Sequence, residues 1–126
     1  MRKDWNYRRG DVYLADCGDW NGSIQGGIRP VVVIQNDIGN RYSPTLSVVK
    51  LTSRINKKPN QPTHCILKGI RGIPTASMVL AEQPHTINKA DIIQYMAHLS
   101  EEQMEKIVHC IQVEMGLCEP VRTVSE

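Results

Sequence analysis

The sequence predicts a mainly β protein, a small and strongly bent sheet or barrel with one helix at its C-terminal end. Three observations lead to this class. The chain of 126 residues has the length of one domain. In about its first ninety residues, short apolar segments alternate with clusters of glycine, proline, asparagine and aspartate, as in small β folds. After residue 100 the apolar spacing changes to that of a helix.

The strands are predicted from apolar runs and from alternation. The segment DVYLAD alternates, with Val12 and Leu14 on one face, and the run VVVI after Pro30 indicates a buried strand. Residues 16–28 and 37–45 are rich in turn formers and are predicted to be loops. The predicted strands cover residues 11–16, 31–35, 46–52, 64–68 and 77–83.

The C-terminal segment carries signals for both ends of a helix. Ser100 and Gln103 match a capping box, and Gly116 stands where a C-terminal glycine belongs. A shorter helical segment is predicted over residues 88–94. Residues 1–118 are predicted to form a single domain, with a flexible tail at 119–126. The apolar positions of the main helix follow at helical spacing: Met104, Ile107, Val108, Ile111 and Met115.

Charge and cysteine content narrow the function classes. The net charge is +2, but residues 1–72 hold twelve Lys and Arg against five Asp and Glu, whereas residues 73–126 hold three against eight. If the basic residues of the first part form one face of the protein, that face would attract a polyanion. The four cysteines have no zinc-site spacing, so free thiols, no metal site and no cofactor are predicted. Without a signal peptide or an apolar run of ~20 residues, the chain is expected to be cytoplasmic, with no membrane contact.

The segment GSIQGGIRPVVVIQND, residues 22–37, is the most informative for function. Its glycine pair lets another chain approach closely, and the planar fork of Arg29 matches phosphate geometry. Pro30 fixes the entry into the strand that follows. The segment therefore suits the binding of a phosphodiester, although an ordinary surface loop with an exposed arginine has the same pattern.

Polar residues also stand at the ends of the predicted strands. If the strands lie side by side, their hydroxyl, amide and guanidinium groups converge at one rim and suit phosphate and base contacts. Such a set supports cleavage of RNA without a metal, because the RNA supplies its own 2′-hydroxyl and the protein supplies positioning and charge. Arg29 would bind the phosphate and Thr52 would donate to the developing oxyanion. Arginine is a poor base, so the pattern identifies no general base.

These motifs together resemble the MazF/PemK family of toxin endoribonucleases, and most closely the MazF toxins of Gram-positive bacteria. The resemblance extends from about Arg9 to Leu117, nearly the whole chain. Each piece alone is common, whereas the combination is specific. The pieces are residues 9–13, 22–23, 25–37, 43–45, 51–53, 62–64, 77–83 and 86–87, with the final helix.

The resemblance implies a PemK/CcdB-like fold, an SH3-like barrel of about six to seven short strands with a C-terminal α-helix, working as a homodimer. It implies the toxin of a type II toxin–antitoxin system, neutralised by a MazE-type antitoxin. Such a toxin cleaves single-stranded RNA, including mRNA, at specific sequences without a metal and leaves 2′,3′-cyclic phosphate and 5′-hydroxyl ends. The family's catalytic arginine and threonine fall on Arg29 and Thr52. The predicted RNA contacts are Ser23, Gln25, Asn36, Ser53, Arg54, Ser77, Glu82 and Gln83.

The chain departs from the family pattern at the predicted RNA groove. Ile24 replaces an acidic residue, and Pro84 and His85 replace an apolar residue and an arginine. Trp20 and Asn21 replace the usual loop residues, and Trp20 is placed to stack on a base. These departures leave the RNA sequence that is cut unpredicted. Two other functions stay open: a CcdB-like toxin that binds a protein such as gyrase without catalysis, and an RNA-binding barrel without turnover.

Overall fold

This computed structural model describes residues 6–18, 26–53 and 64–119. The described part contains six strands and two α-helices. Neighbouring strands are all antiparallel. They form one curled sheet in the order β4-β5-β3-β2-β1-β6. The elements are β1 (Asp11–Asp16), β2 (Ile28–Val33), α1 (Asp37–Tyr42), β3 (Thr45–Thr52), β4 (His64–Leu67), β5 (Ser77–Asn88), a 3-10 turn (Lys89–Asp91), β6 (Ile92–His98) and α2 (Glu101–Glu114).

The predicted class, mainly β with a C-terminal helix, is confirmed. β1 has the predicted bounds, β3 begins one residue earlier than predicted, and β4 ends one residue earlier. β2 begins three residues before its predicted start and ends two residues before its predicted end. The division into a domain of residues 1–118 and a tail of 119–126 stays a prediction, because residues 120–126 lie outside the described part.

Three predictions about local structure are wrong. The loop predicted over 37–45 contains α1, whose start is capped by the Asn36 side chain accepting from Gly39 N at 2.8 Å. β5 continues past Gln83 to Asn88, pairing with β3 along most of its length. The helical segment predicted over 88–94 is a 3-10 turn followed by β6, which pairs with β1. Register shifts in that pairing break the alternation that would have indicated a strand.

The two faces of the sheet carry separate apolar clusters. The helix face includes Val12, Val32 and Val49, and it packs against the buried side of α2 at Met104 and Ile107. α2 contacts β5 and β4. The opposite face, called the far face here, is built around a second cluster: Tyr13, Val31, Val33, Leu46 and Val48, with Tyr7, Ala15, Cys17, Ile87 and Ile92.

Helix α2 begins and ends as predicted. Gln103 N donates to Ser100 Oγ at 3.1 Å and Ser100 N donates to Gln103 Oε1 at 2.8 Å, which completes the capping box. Gly116 has a φ of +75° just beyond the helix. Met115 does not belong to the buried stripe, because it follows the last turn and is 65% exposed. Neither described helix combines the length and hydropathy of a membrane span.

A buried polar network ties β1 to β6 beneath the loop before β1. The Asp11 carboxylate is buried and accepts from Tyr13 Oη at 2.6 Å and from Arg8 N at 2.9 Å. His98 Nδ1 lies 2.7 Å from the other carboxylate oxygen. Burial and the bond to Asp11 raise the pKa of Tyr13. Asp11 therefore has a structural role, at the end of β1 away from Arg29.

Candidate active site

Strands β2 and β3 part at one end of the sheet, and Pro30 is the cause. Gly10 N donates to Val33 O, and Ile34 N donates to Ser47 O. The backbone N–H and C=O groups of the odd-numbered residues of β2 therefore point toward β1, and those of the even-numbered residues point toward β3. The N–H of residue 30 would therefore donate to β3, but proline has none. The β2–β3 pairing accordingly stops one residue short of the proline, whereas the pairing with β1 continues to the start of β2.

Arg29 takes the acceptor that the proline leaves. Continuing the β2–β3 register by one residue places Pro30 opposite Leu51. The Leu51 carbonyl accepts from Arg29 Nη1 at 3.4 Å, and the Gly26 carbonyl accepts from Arg29 Nε at 2.9 Å. Gly27, which lies between Gly26 and Arg29 in the sequence, has a φ of +81°, which a glycine adopts without strain. The guanidinium is thus fixed between one carbonyl of β3 and one carbonyl of the turn before β2.

A cavity of about 290 Å³ lies where the two strands part. It brings together four residues that the sequence analysis selected. Arg29 and Thr52 were predicted to be catalytic, and Ser53 and Ser77 were predicted to contact RNA. They come from the start of β2, the end of β3 and the start of β5, which meet at this end of the antiparallel sheet. The lining consists of Ile28, Arg29, Pro30, Leu51, Thr52, Ser53, Ile73, Pro74, Thr75, Ser77 and Met96.

Residues with hydroxyl side chains line this cavity together with Arg29. Thr52 is the last residue of β3 and is only 6% exposed, and the β2–β3 register, continued, places it opposite Arg29 on the same face. Ser77 is also buried, and its Oγ donates to Thr75 O at 3.2 Å. Ser53 is exposed at the mouth. A cation beside hydroxyl donors is an arrangement that binds a phosphate.

One wall of the cavity depends on a glycine. Gly72 precedes the lining segment 73–75 and has a φ of +97°. A Cβ at this position would overlap the Met96 carbonyl of β6, another lining residue. The glycine therefore lets the 68–76 loop lie directly against β6.

Other predicted site residues lie elsewhere. Asn36 follows the opposite end of β2 from Arg29, and its side chain caps α1. Glu82 and Gln83 lie within β5, at the bulge opposite Val49 and Lys50, and they are not part of the described lining. The prediction that all strand-end polar groups converge at one rim is therefore wrong for these three. The predicted contacts Ser23, Gln25 and Arg54, and the departures Trp20 and Ile24, lie outside the described residues.

The sequence analysis did not select Lys50, a charged residue next to this site. It lies in β3 two residues before Thr52 and is 1% exposed. Burial is the main cause that lowers the pKa of Lys50; the Cys17 thiol opposes this and the positive charge of Arg29 adds to it. The signal was present, because a lysine interrupts the otherwise apolar run VVKL of a predicted strand.

The described lining contains a guanidinium and hydroxyl groups but no carboxylate or imidazole. In residues 6–18, 26–53 and 64–119, no group of three His, Cys, Asp or Glu side chains is arranged to hold a metal ion. The chemistry that these lining residues themselves offer is anion binding and hydrogen-bond donation.

Sequence comparison relates the chain to a described family over most of its length. The family model "PemK-like, MazF-like toxin of type II toxin-antitoxin system" matches residues 8–115. The chain is 47% identical over 111 residues to a protein of Staphylococcus saprophyticus named "Endoribonuclease MazF", and the match covers 87% of this chain and 92% of that protein.

Solved structures share the fold at lower sequence identity. The crystal structure of MazF from Deinococcus radiodurans superposes with a TM-score of 0.76 at 18% identity, covering 90% of this chain and 99% of that one. A mycobacterial endoribonuclease in complex with its cognate antitoxin gives a TM-score of 0.74 at 24% identity, with coverage of 90% and 99%. These similarities agree with the curled sheet and C-terminal helix described above.

Proposed function

The chain belongs to the PemK-like, MazF-like toxins of type II toxin–antitoxin systems, and we propose that it is an endoribonuclease whose active site is the cavity between β2 and β3. One observation carries the assignment to this cavity: Arg29 and Thr52 line it together, at the point where Pro30 ends the strand pairing. The family membership makes a CcdB-like, non-catalytic toxin the less favoured alternative.

The proposed reaction is an in-line transfer within the RNA. The 2′-oxygen forms a bond to phosphorus while the bond to the 5′-oxygen breaks, giving a 2′,3′-cyclic phosphate and a 5′-hydroxyl. The 2′-hydroxyl loses a proton and the departing 5′-oxygen gains one. Arg29 binds the phosphate oxygens and assists the departing oxygen, and Thr52 donates to the oxyanion of the phosphorane. The reaction needs no metal, because the nucleophile is part of the substrate.

Neither proposed catalytic residue is a base at neutral pH. Since the described lining also lacks a carboxylate or imidazole, positioning and charge stabilisation provide the main contribution of these residues. The proton of the 2′-hydroxyl is taken by a group outside this described set or by water.

The substrate and partners follow from family membership and from the relatives' names. We propose single-stranded RNA, cut at a specific sequence, as the substrate and a MazE-type antitoxin as the inhibitor. Related structures bear names that pair the toxin with an antitoxin, which supports the second proposal. A homodimer in the cytoplasm is the proposed working form. The proposed RNA contacts remain Ser23, Gln25, Asn36, Ser53, Arg54, Ser77, Glu82 and Gln83.

A cleavage assay in excess EDTA tests the function and the role of Arg29. The purified protein is expected to cut a diverse pool of single-stranded RNA. Arg29→Ala is expected to lower the rate by about a hundredfold or more, because it removes the cation of the site. Arg41→Ala, which removes an exposed arginine on α1, is the matched control and is expected to keep the rate.

Two results would contradict the proposal. Folded wild-type protein that leaves the whole RNA pool intact would show that the chain is not a ribonuclease. Cleavage by Arg29→Ala at the wild-type rate would show that the active site lies elsewhere.

A further inference from the structure

A lysine is buried in the far face of the sheet, close to the proposed active site. Lys50 is 1% exposed, and its neighbours on the same face of β3 include the core residues Leu46 and Val48. Lysine is rarely buried to this extent, because taking an ammonium out of water is costly unless other groups compensate for it. Its burial in β3, two residues before Thr52 and opposite the strand that carries Arg29, makes this charge a candidate for a role in the neighbouring site.

Strand geometry places this lysine on the same face as both proposed catalytic residues. Lys50 and Thr52 are two residues apart, about 7 Å along the strand, and their side chains leave the same face. Val31 lies opposite Lys50 on β2, and Arg29 is two residues before Val31, so Arg29 leaves this face as well. Lys50 itself is not among the described residues that line the cavity.

The pKa shifts of Lys50 and His85 identify some of the groups near the ammonium. Burial lowers the pKa of Lys50, the Cys17 thiol just after β1 opposes this, and Arg29 of β2 lowers the pKa further. Burial and then Lys50 lower the pKa of His85 on β5. The ammonium is therefore within electrostatic range of groups on or beside three other strands. Two like charges held near each other favour the binding of an anion, because the anion relieves their repulsion.

We propose that Lys50 is a positioning residue of the phosphate site, whose buried positive charge directs Arg29 into the cavity and strengthens the field that the scissile phosphate meets there. The inference rests on the proposed function, since it assumes that a phosphodiester binds beside Arg29.

The effect of this charge grows during the reaction. The diester carries one negative charge, and attack by the 2′-oxygen creates a phosphorane with a second. A fixed cation nearby stabilises the phosphorane more than the bound diester. Loss of the Lys50 charge should therefore lower the rate of the chemical step more than the affinity for RNA.

Lys50→Met separates this role from a packing role. Methionine has a similar length and no charge, and replacing a buried charge by an apolar side chain of similar volume often keeps or improves stability. The single-turnover cleavage rate is expected to fall about ten- to a hundredfold. The dissociation constant for RNA with a 2′-deoxy sugar at the cut site should change less than about threefold.

Lys89→Met is the matched control. It removes the same charge from the 3-10 turn after β5, at the opposite end of that strand from Ser77, where Lys89 donates to the Asn40 carbonyl. Its cleavage rate is expected to stay within about twofold of wild type. An equal loss in both variants would mean that only the overall charge matters and would overturn the proposal.

Folded Lys50→Met with the wild-type rate would also overturn it. If Arg29→Ala is inactive while Lys50→Met cuts at the wild-type rate, only the role proposed for Lys50 is contradicted. If the wild-type protein cuts no RNA, the proposed function itself is contradicted. A measurement on the wild-type protein gives a test that needs no variant to fold. The NMR shift of Lys50 Cε in complex with the 2′-deoxy RNA should be that of an ammonium, and the shift of a neutral amine would contradict the proposal.

Discussion

At the scale of single residues, the Arg29–Pro30 pair explains why a cavity exists at this point. A proline in an inner strand costs one ladder hydrogen bond and leaves a carbonyl of the next strand without its usual donor. Here the arginine directly before the proline donates to that carbonyl, which belongs to Leu51, so the defect is satisfied by the group that is proposed to bind phosphate. Fixing a long side chain in this way reduces the entropy that substrate binding must still remove.

The hydroxyl of Thr52 can be tested separately from its packing. Thr52→Val keeps the shape of the side chain and is expected to lower the single-turnover rate by about ten- to a hundredfold, because one donor to the oxyanion is lost. Thr52→Ser should retain most of the rate. Thr45→Val removes a hydroxyl at the other end of β3, where it bonds to Ser43 Oγ at 3.0 Å, and should leave the rate unchanged. Equal rates for Thr52→Val and wild type would exclude the hydroxyl from the chemistry.

At the scale of elements, the site depends on two strands that stop pairing before they end. β2 keeps its pairing with β1 as far as Ile28, so its first residues stay in the sheet while their β3 side is open. The start of β2, which lines the cavity, is therefore held in the sheet by β1, and the cavity opens where the β2–β3 pairing stops. Rigid strands hold catalytic groups more precisely than loops do.

Pro30→Ala tests this dependence directly. The new N–H is expected to donate to the Leu51 carbonyl and displace Arg29 Nη1, so that the cleavage rate falls about tenfold or more. Stability should change little, since the added hydrogen bond of about 1 kcal/mol offsets a more flexible unfolded chain. Hydrogen exchange gives the independent readout, as the amide of residue 30 should be protected. An unprotected amide, or a protected amide with full activity, would contradict this explanation.

At the scale of the whole molecule, the sequence predicted the elements whose patterns are local. β1, β3 and α2 were found because alternation, an apolar run and a capping box lie within each segment. β6 was missed because an edge strand is defined by its pairing with β1, which a local pattern does not show. The same limit explains why Arg29, Thr52 and Ser77 were brought together as predicted while Asn36 was not: strand direction, rather than strand-end position alone, decides which ends meet.

The uneven charge of the chain also has a structural counterpart. The basic first part supplies β2 and β3 with Arg29 and Lys50, whereas the more acidic last part supplies α2 on the helix face. A polyanion approaching the sheet end between β2 and β3 would therefore meet the strands that carry these cations. This arrangement agrees with RNA as the proposed substrate.

The most direct measurement of the central claim places one 2′-deoxy nucleotide immediately before the cut site of an otherwise unchanged RNA. If RNA supplies its own nucleophile while Arg29 and Thr52 stabilise the phosphorane, this substitution should abolish cleavage at that site, and the unmodified RNA should give only 2′,3′-cyclic phosphate and 5′-hydroxyl ends. Cleavage of the modified RNA at the same position, or 5′-phosphate ends from the natural RNA, would contradict the mechanism.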